Sequence, residues 1–270
     1  MPTVQDQPRA RGAVVLSAKT GPRGTCLAGL RQSGSLKCLF PRADPPNMQA
    51  VLVNTAGGIT GGDAFSIDLR AEAGTDLTVT TQAAERAYRA QPGQVGQMHS
   101  RVCLEEGARL NWLPQETILF DGCALNRTLT VDLAAGASLL LTEPLVFGRT
   151  SMGEVLRRGQ FSDRIEICSR GRPLYLDRIA LEGDIAAHLS RPGVAAGARA
   201  MATLVYLADD AAAHLDAVRA LLPETAGASL IRDGLMAIRI LAPDSFVLRQ
   251  SLVPVLNRLN GGTLPRTWMI

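Results

Sequence analysis

Three segments of this chain repeat one short form. Ala73-Gly74-Thr75-Asp76-Leu77-Thr78-Val79, Glu106-Gly107-Ala108-Arg109-Leu110-Asn111-Trp112 and Ala135-Gly136-Ala137-Ser138-Leu139-Leu140-Leu141 each carry a glycine, a Leu three residues later and an apolar residue two beyond that. The alternation on either side of each glycine reads as two strands joined by a turn. The glycines stand at 74, 107 and 136, hence 33 and 29 residues apart. At that spacing a unit that cannot bury its apolar face alone stacks on copies of itself. The chain is therefore expected to be mainly β, with layered sheets of β-helical, stacked-hairpin character. A polar, non-periodic segment follows the second strand of each unit, at residues 82–89, 114–116 and 142–149. If the units stack, these segments emerge at one end. Arg89, Glu116, Glu143 and Arg149 are then expected to converge with Asp63 on one side of the layers.

A second unusual stretch is Ala56-Gly57-Gly58-Ile59-Thr60-Gly61-Gly62-Asp63. Glycine gives up the most backbone entropy on folding, so Gly57, Gly58, Gly61 and Gly62 in six residues point to positive φ angles or close backbone approach. Residues 49–54 before it and 65–69 after it read as strands, so the glycines form a strand-to-strand loop. Gly57 to Gly62 has phosphate-loop spacing, but Asp63-Ala64 stands where such a loop needs Lys and then Ser or Thr. The dinucleotide pattern is missed too, and no helix follows to offer its N-terminus to an anion.

Residues 1–11 carry two prolines and no periodicity, so a disordered leader is expected there, with a single domain over 12–270. Its stacked β part covers 12–183, and a composition shift to alanine opens a part containing the helices, 184–270. Short strands are expected at 13–17, 25–30, 35–40, 164–168, 173–177 and 200–207. Asp209 and Asp210 offer an N-cap to a helix running through Leu222. Asp244 caps a second helix from about Ser245 to the Asn260-Gly261-Gly262 stop, with Leu248, Leu252, Val255 and Leu259 on one face and a kink expected at Pro254.

With 28 basic against 25 acidic residues and no run of five like charges, the chain shows no footprint for nucleic acid or an anionic membrane. Five scattered cysteines without a C-x-x-C pair fit reduced thiols. No stretch reaches eighteen apolar residues, and residues 1–11 have no apolar h-region. A soluble cytoplasmic protein is expected. The three histidines form no metal-binding pair, and His99 and Cys103, four apart in a strand, stand about 13 Å from each other. No nucleophile and base are placed together. A hydrolase using two of the carboxylates Asp63, Glu116, Asp121, Glu143 and Glu154 is the alternative enzymatic reading.

Asn54 through Asp63 resembles the signature of the urease accessory protein family UreD, also called UreH. The likeness continues through Thr80-Thr81-Gln82-Ala83-Ala84, Tyr88-Arg89, Trp112-Leu113-Pro114-Gln115-Glu116, Phe120-Asp121-Gly122 and Gly148-Arg149-x-x-Met152-Gly153-Glu154. It extends to Arg164 with Glu166 and to Pro265-Arg266-Thr267-Trp268, and so covers nearly the whole chain in order. The chain departs at Thr55-Ala56, where the family commonly has prolines, and at Glu85-Arg86, where a Thr-Lys pair is usual. The resemblance implies a nickel-insertion chaperone and scaffold, no enzyme, with layered β-helical sheets and two helices. It implies binding to apo-urease, to the adaptor UreF and through it to the GTPase UreG. Nickel would then be in transit, with no cofactor held tightly. On that basis Asp63, Glu116 and Glu143 are expected to line a nickel path, with Arg89 and Arg149 as a supporting polar network, no tight metal site and no catalytic residue. UreF is expected to contact 184–262.

Overall fold

The three turn glycines adopt one conformation, with φ of 67° at Gly74, 66° at Gly107 and 67° at Gly136. The structure is a computed structural model describing residues 8–44, 46–149, 152–261 and 264–269. In chain order the first strands are β1 (Arg11–Gly21), β2 (Gly24–Gly34), β3 (Leu36–Leu39), β4 (Met48–Asn54), β5 (Ala64–Ala71), β6 (Asp76–Thr81) and β7 (Glu85–Ala87). Then come β8 (Gly96–Leu104), β9 (Arg109–Leu113), β10 (Thr117–Leu119), β11 (Cys123–Leu133), β12 (Ser138–Phe147), β13 (Gly159–Ser169) and β14 (Arg172–Gly183). The chain closes with α1 (Ile185–Ser190), β15 (Ala200–Leu207), α2 (Ala211–Arg219), β16 (Ala226–Arg232), β17 (Leu235–Ala242), α3 (Ser245–Asn260) and a 3-10 turn, Arg266–Met269.

Each repeated turn carries the chain from one sheet to the other. Gly74 joins β5 to β6, Gly107 joins β8 to β9 and Gly136 joins β11 to β12. The first strand of each pair lies in a seven-stranded sheet of order β14-β13-β11-β8-β5-β1-β2, and the second in a sheet running β16-β17-β15-β12-β9-β6-β4-β3. Neighbouring units pair in parallel in both sheets, so the fold is a β-solenoid of about four turns. The turns bond to one another, since the Gly74 N–H donates to Glu106 O and the Gly107 N–H to Ala135 O. Between the sheets lie Leu69, Val102, Val131 and Ile167 from one side and Leu77, Leu110 and Leu139 from the other, all buried.

The segments expected as loops after each unit contain a third, narrow face. β7, β10 and the end of β12 pair in parallel, with Glu85, Thr117 and Leu145 in register. Ile59 of the glycine loop bridges Ala87 as a further rung. Ile59, Ala87, Leu119 and Phe147 are buried there as an apolar column. Three-residue strands are too short to show a period, which is why they read as non-periodic.

The division expected at 183/184 falls at the end of β14. β15 then returns antiparallel to β12, and β17 and β16 extend the sheet. α3 has the expected bounds: Asp244 accepts from the Val247 N–H, Gly261 ends the helix at φ 69°, and the helix continues through Pro254. Gly262 lies outside the described residues. The expected face is buried with Leu256 added, against the outer side of the larger sheet. α2 starts after Asp210 but stops at Arg219, short of Leu222, because Leu222 precedes Pro223 and the α conformation is disfavoured there. The sequence reading lacked α1, capped by Asp184, and the β16–β17 hairpin. Asp233-Gly234 between those two strands is a hairpin signal.

Of the leader expected over 1–11, residues 1–7 lie outside the described residues. The Ala10 N–H donates to Asp63, and Arg11 opens β1.

Candidate functional site

The glycine loop is held by its own carboxylate. Asp63 is buried; its Oδ1 accepts from the Ala10 N–H and its Oδ2 from the Thr60 N–H, both at 2.8 Å. Gly57 at φ 79° and Gly62 at φ 86° hold left-handed backbone. Gly58 and Gly61 leave room for neighbours: a Cβ on Gly58 would collide with the Tyr88 ring, and one on Gly61 would stand 2.6 Å from Gln94 O. The Tyr88 hydroxyl donates to Gly57 O at 3.2 Å.

Between the sheets the smaller sheet contributes a charged rung. Arg127 and Asp163 are register neighbours on β11 and β13, and both are buried. Arg127 donates from Nε to Asp163 Oδ1 at 3.0 Å and from Nη2 to Oδ2 at 2.6 Å. Its Nη1 reaches Glu143 Oε2 on β12 at 2.6 Å and donates to Thr117 Oγ1 at 3.1 Å. The remaining Glu143 oxygen accepts from Trp112 Nε1 at 2.9 Å. Burial pushes the Glu143 carboxyl above its ordinary range and Asp163 adds to this, against the opposing pull of Arg127 and the indole N–H. Desolvation opposes the Arg127 charge, and the two carboxylates outweigh it, so its pKa is raised. Polar groups continue across the larger sheet, where Thr203 is the register neighbour of Glu143 and Arg239 that of Thr203. Asp177 of β14 meets both, at 2.7 Å from Arg239 Nη2 and 3.4 Å from Thr203 Oγ1.

Glu116 lies elsewhere. Thr117 points inward to Arg127, while Glu116 sits against α3, where Arg249 Nη1 donates to both of its oxygens at 3.1 and 3.2 Å. Arg249 also donates to Trp268 O at 2.6 Å and lies over the Trp268 ring. A cavity of about 360 Å³ opens here, lined by Gln82, Ala83, Ala84, Glu116, Arg249 and Thr267 among others. Residues 82–84 also line a second cavity of about 230 Å³, whose walls include Glu85 and the core residues Ile67 and Met98.

Arg89 and Arg149 lie at one corner, where the narrow face turns into the smaller sheet, Arg89 on Asp121 and Arg149 over the adjacent Phe120. Arg149 pairs with both Glu154 oxygens at 3.2 Å and lies 4.3 Å over the Phe120 ring. Phe120 meets Tyr88 edge-on at 4.9 Å. Asp121 Oδ1 accepts from the Arg157 and Arg158 N–H groups, and Oδ2 from the Arg89 and Arg158 guanidinium groups. Burial raises the Asp121 and Glu154 pKa values, but hydrogen bonds and charge from Arg158 and Arg157 at Asp121, and from Arg149 at Glu154, leave both lowered. A lowered folded-state pKa means that the unfolded chain binds more protons, so this stabilisation is complete above the ordinary carboxylate range. It is expected to be lost as pH falls from that range toward the lowered values. Hydrogen exchange of 152–158 measured from pH 6 to pH 3 should show protection falling over that window, and a pH-independent profile would contradict it.

The expected single lining is thus divided among a loop pin at Asp63, an inter-sheet seam at Glu143, a helix-facing pair at Glu116 and a surface corner at Arg89 and Arg149. Among the described residues no hydrogen bond or ion pair joins Asp63, Glu116 and Glu143 to one another. The stacking geometry was right, but alternation along the strands turns adjacent residues to opposite faces. Arg127, Asp163, Asp177 and Arg239 were missed. The readable signal was Leu125-Asn126-Arg127-Thr128-Leu129, where a charge occupies an inward position of an alternating strand. Among the described residues no group of three or more His, Cys, Asp or Glu side chains is arranged to hold a metal ion, and no helix is long and apolar enough to cross a membrane.

The family model described as UreD urease accessory protein matches residues 10–269. The chain is 59% identical over 249 residues to the urease accessory protein UreD of Ruegeria pomeroyi, covering 92% of this chain and 97% of that protein. It is 50% identical over 268 residues to that of Roseobacter denitrificans, covering 99% and 98%. For that of Sinorhizobium medicae the identity is 44% over 269 residues, covering 97% and 96%.

Proposed function

This chain belongs to the UreD urease accessory protein family, a non-catalytic chaperone family, and on that premise we propose that it is a scaffold that binds apo-urease and the adaptor UreF. Through UreF it engages the GTPase UreG, and nickel passes along it toward the urease active site. The observation that carries the nickel part is the placement of glutamates around residues 82–84. Glu116 and Glu85 front cavities on the two sides of this segment, and Glu143 lies deeper, between the sheets. Oxygen ligands bind a borderline divalent ion more loosely than sulfur or imidazole, which suits passage over storage. Asp63 is given the glycine loop in this reading, and Arg89 and Arg149 the corner.

UreF is assigned to the helical side, 184–262. The apolar face of α3 is used up in the core, so docking falls to its outer face, where Phe246 is 70% exposed. Two-carboxylate hydrolysis finds no support, since its candidates are each tied elsewhere: Asp63 to backbone N–H groups, Glu116 to Arg249, Asp121 to Arg89 and Arg158, Glu143 to Arg127 and Glu154 to Arg149.

The test uses Glu116→Gln and Glu143→Gln, with Asp63→Ala as a loop control. Each is checked for folding, for pull-down of UreF and apo-urease, and for the nickel content of the activated urease. Both glutamine variants are expected to keep their partners and to deliver less nickel. Full nickel loading by both would refute the path, and wild-type chain that captures neither partner would refute the scaffold.

A further inference from the structure

The corner built from Tyr88, Phe120, Asp121, Arg149 and Glu154 is more ordered than a solvated surface requires. Gly58 has no side chain where the Tyr88 ring lies, Tyr88 meets Phe120 edge-on, and Arg149 covers Phe120 while Glu154 grips its guanidinium from the side. Asp121 uses both oxygens to fix the chain at Arg157 and Arg158 and to hold Arg89. Buried supports thus hold side chains whose outer parts are open to solvent. The side chains of Arg89 and Arg158 are 63% and 73% exposed, and Met152, whose backbone N–H donates to Arg149 O, is 72% exposed.

We propose that this corner is a docking surface for a partner protein that presents carboxylates, distinct from the partner on the helices. Charge gives the partner's chemistry. The guanidinium groups of Arg89, Arg149 and Arg158 share two carboxylates, Asp121 and Glu154, and the exposed Arg157, bonded to Asp121 through its backbone N–H, adds a further charge, an excess of two positive charges in a chain whose net charge is only +3. Tyr, Arg and Met are the residue types that interfaces concentrate, and arginines already fixed by neighbours lose less side-chain freedom on binding. The exposed Met152 and the Tyr88 ring give the surface an apolar part, which favours a protein over a polyanion held by charge alone.

Position supports a second, separate partner. The helices cover the outer side of the larger sheet, whereas the corner lies where β7 and β10 lead toward the smaller sheet, next to the Arg89–Cys123 bridge. This inference rests on the scaffold reading above. With UreF assigned to the helical side, the acidic surface at the corner belongs to apo-urease.

The experiment measures binding of purified full-length chain to apo-urease and to UreF at low and high salt. The variants are Arg89→Glu with Arg158→Glu, and separately Met152→Asp, where among the described residues no side-chain hydrogen bond or ion pair is broken. Both are expected to weaken apo-urease binding at least about tenfold and to leave UreF binding unchanged, and the wild-type complex with apo-urease is expected to weaken with salt. Met152→Asp should keep the wild-type melting temperature, whereas the arginine variant, which loses the Asp121 pairs, should stay folded with a lower one. Apo-urease affinity unchanged in the folded Met152→Asp variant overturns the inference, as does loss of UreF binding alone. Binding of the wild type to anionic vesicles or DNA, lost in the arginine variant, with apo-urease binding intact, also overturns it. A wild type that binds neither protein defeats the scaffold reading itself, which is a different result from a wild type that binds both and variants that match it.

Discussion

Arg127→Ala is expected to destabilise the chain by about 3–5 kcal/mol, the usual loss when one partner of a buried ion pair is removed. The guanidinium, carried by β11, bonds two carboxylates and a hydroxyl from three other strands, Glu143 of β12, Asp163 of β13 and Thr117 of β10. Without it Asp163 and Glu143 face each other between the sheets with no cation, and Thr117 Oγ1 loses its donor. Arg127→Lys should recover only part of the loss, because one ammonium cannot reproduce the forked bond to Asp163. The seam is not expected to be a net source of stability. Replacing Arg127, Asp163 and Glu143 together by apolar residues of similar volume should leave the fold about as stable as the wild type, or more so. Urea unfolding midpoints with unchanged slopes would measure both. A loss under about 1 kcal/mol for Arg127→Ala would mean that water reaches the seam and screens it.

The second large effect is expected at Gly61. Its Cβ would stand 2.6 Å from Gln94 O and 2.7 Å from the Ala90 Cβ. A backbone carbonyl cannot rotate aside as a side chain would, so Gly61→Ala must shift the segment after Arg89 or open the glycine loop. The expected loss is about 1–3 kcal/mol, the range for overpacking at a fixed site. Gly57 supplies the control. It has open space around it but φ of 79°, so Gly57→Ala meets only backbone strain of about 1 kcal/mol, and Gly57→Asn should cost less because asparagine tolerates that region. Thermal melts of the three variants test the order. A Gly61→Ala protein as stable as Gly57→Asn would show that the loop yields easily and that its second glycine pair is not required by packing.

The sequence by itself determined the layered architecture, because a turn glycine followed by a fixed apolar spacing repeats at 74, 107 and 136 and each unit needs a neighbour to cover it. It determined where α3 starts and stops, since Asp244, the apolar stripe and Gly261 are all local signals. It also carried the family, through motifs whose residue types and order are visible without coordinates. Only the tertiary structure decided which side chains share an environment. Glu116 and Thr117 are adjacent in sequence, yet one faces a helix and the other the core, and the parity that separates them could not be fixed while β10 was too short to read. Arg127 and Asp163 are 36 residues apart, and their pairing follows from the register of β11 on β13. Register is a long-range quantity, set by how whole units stack, so charges that are far apart along the chain became partners and charges expected to converge were placed on separate faces.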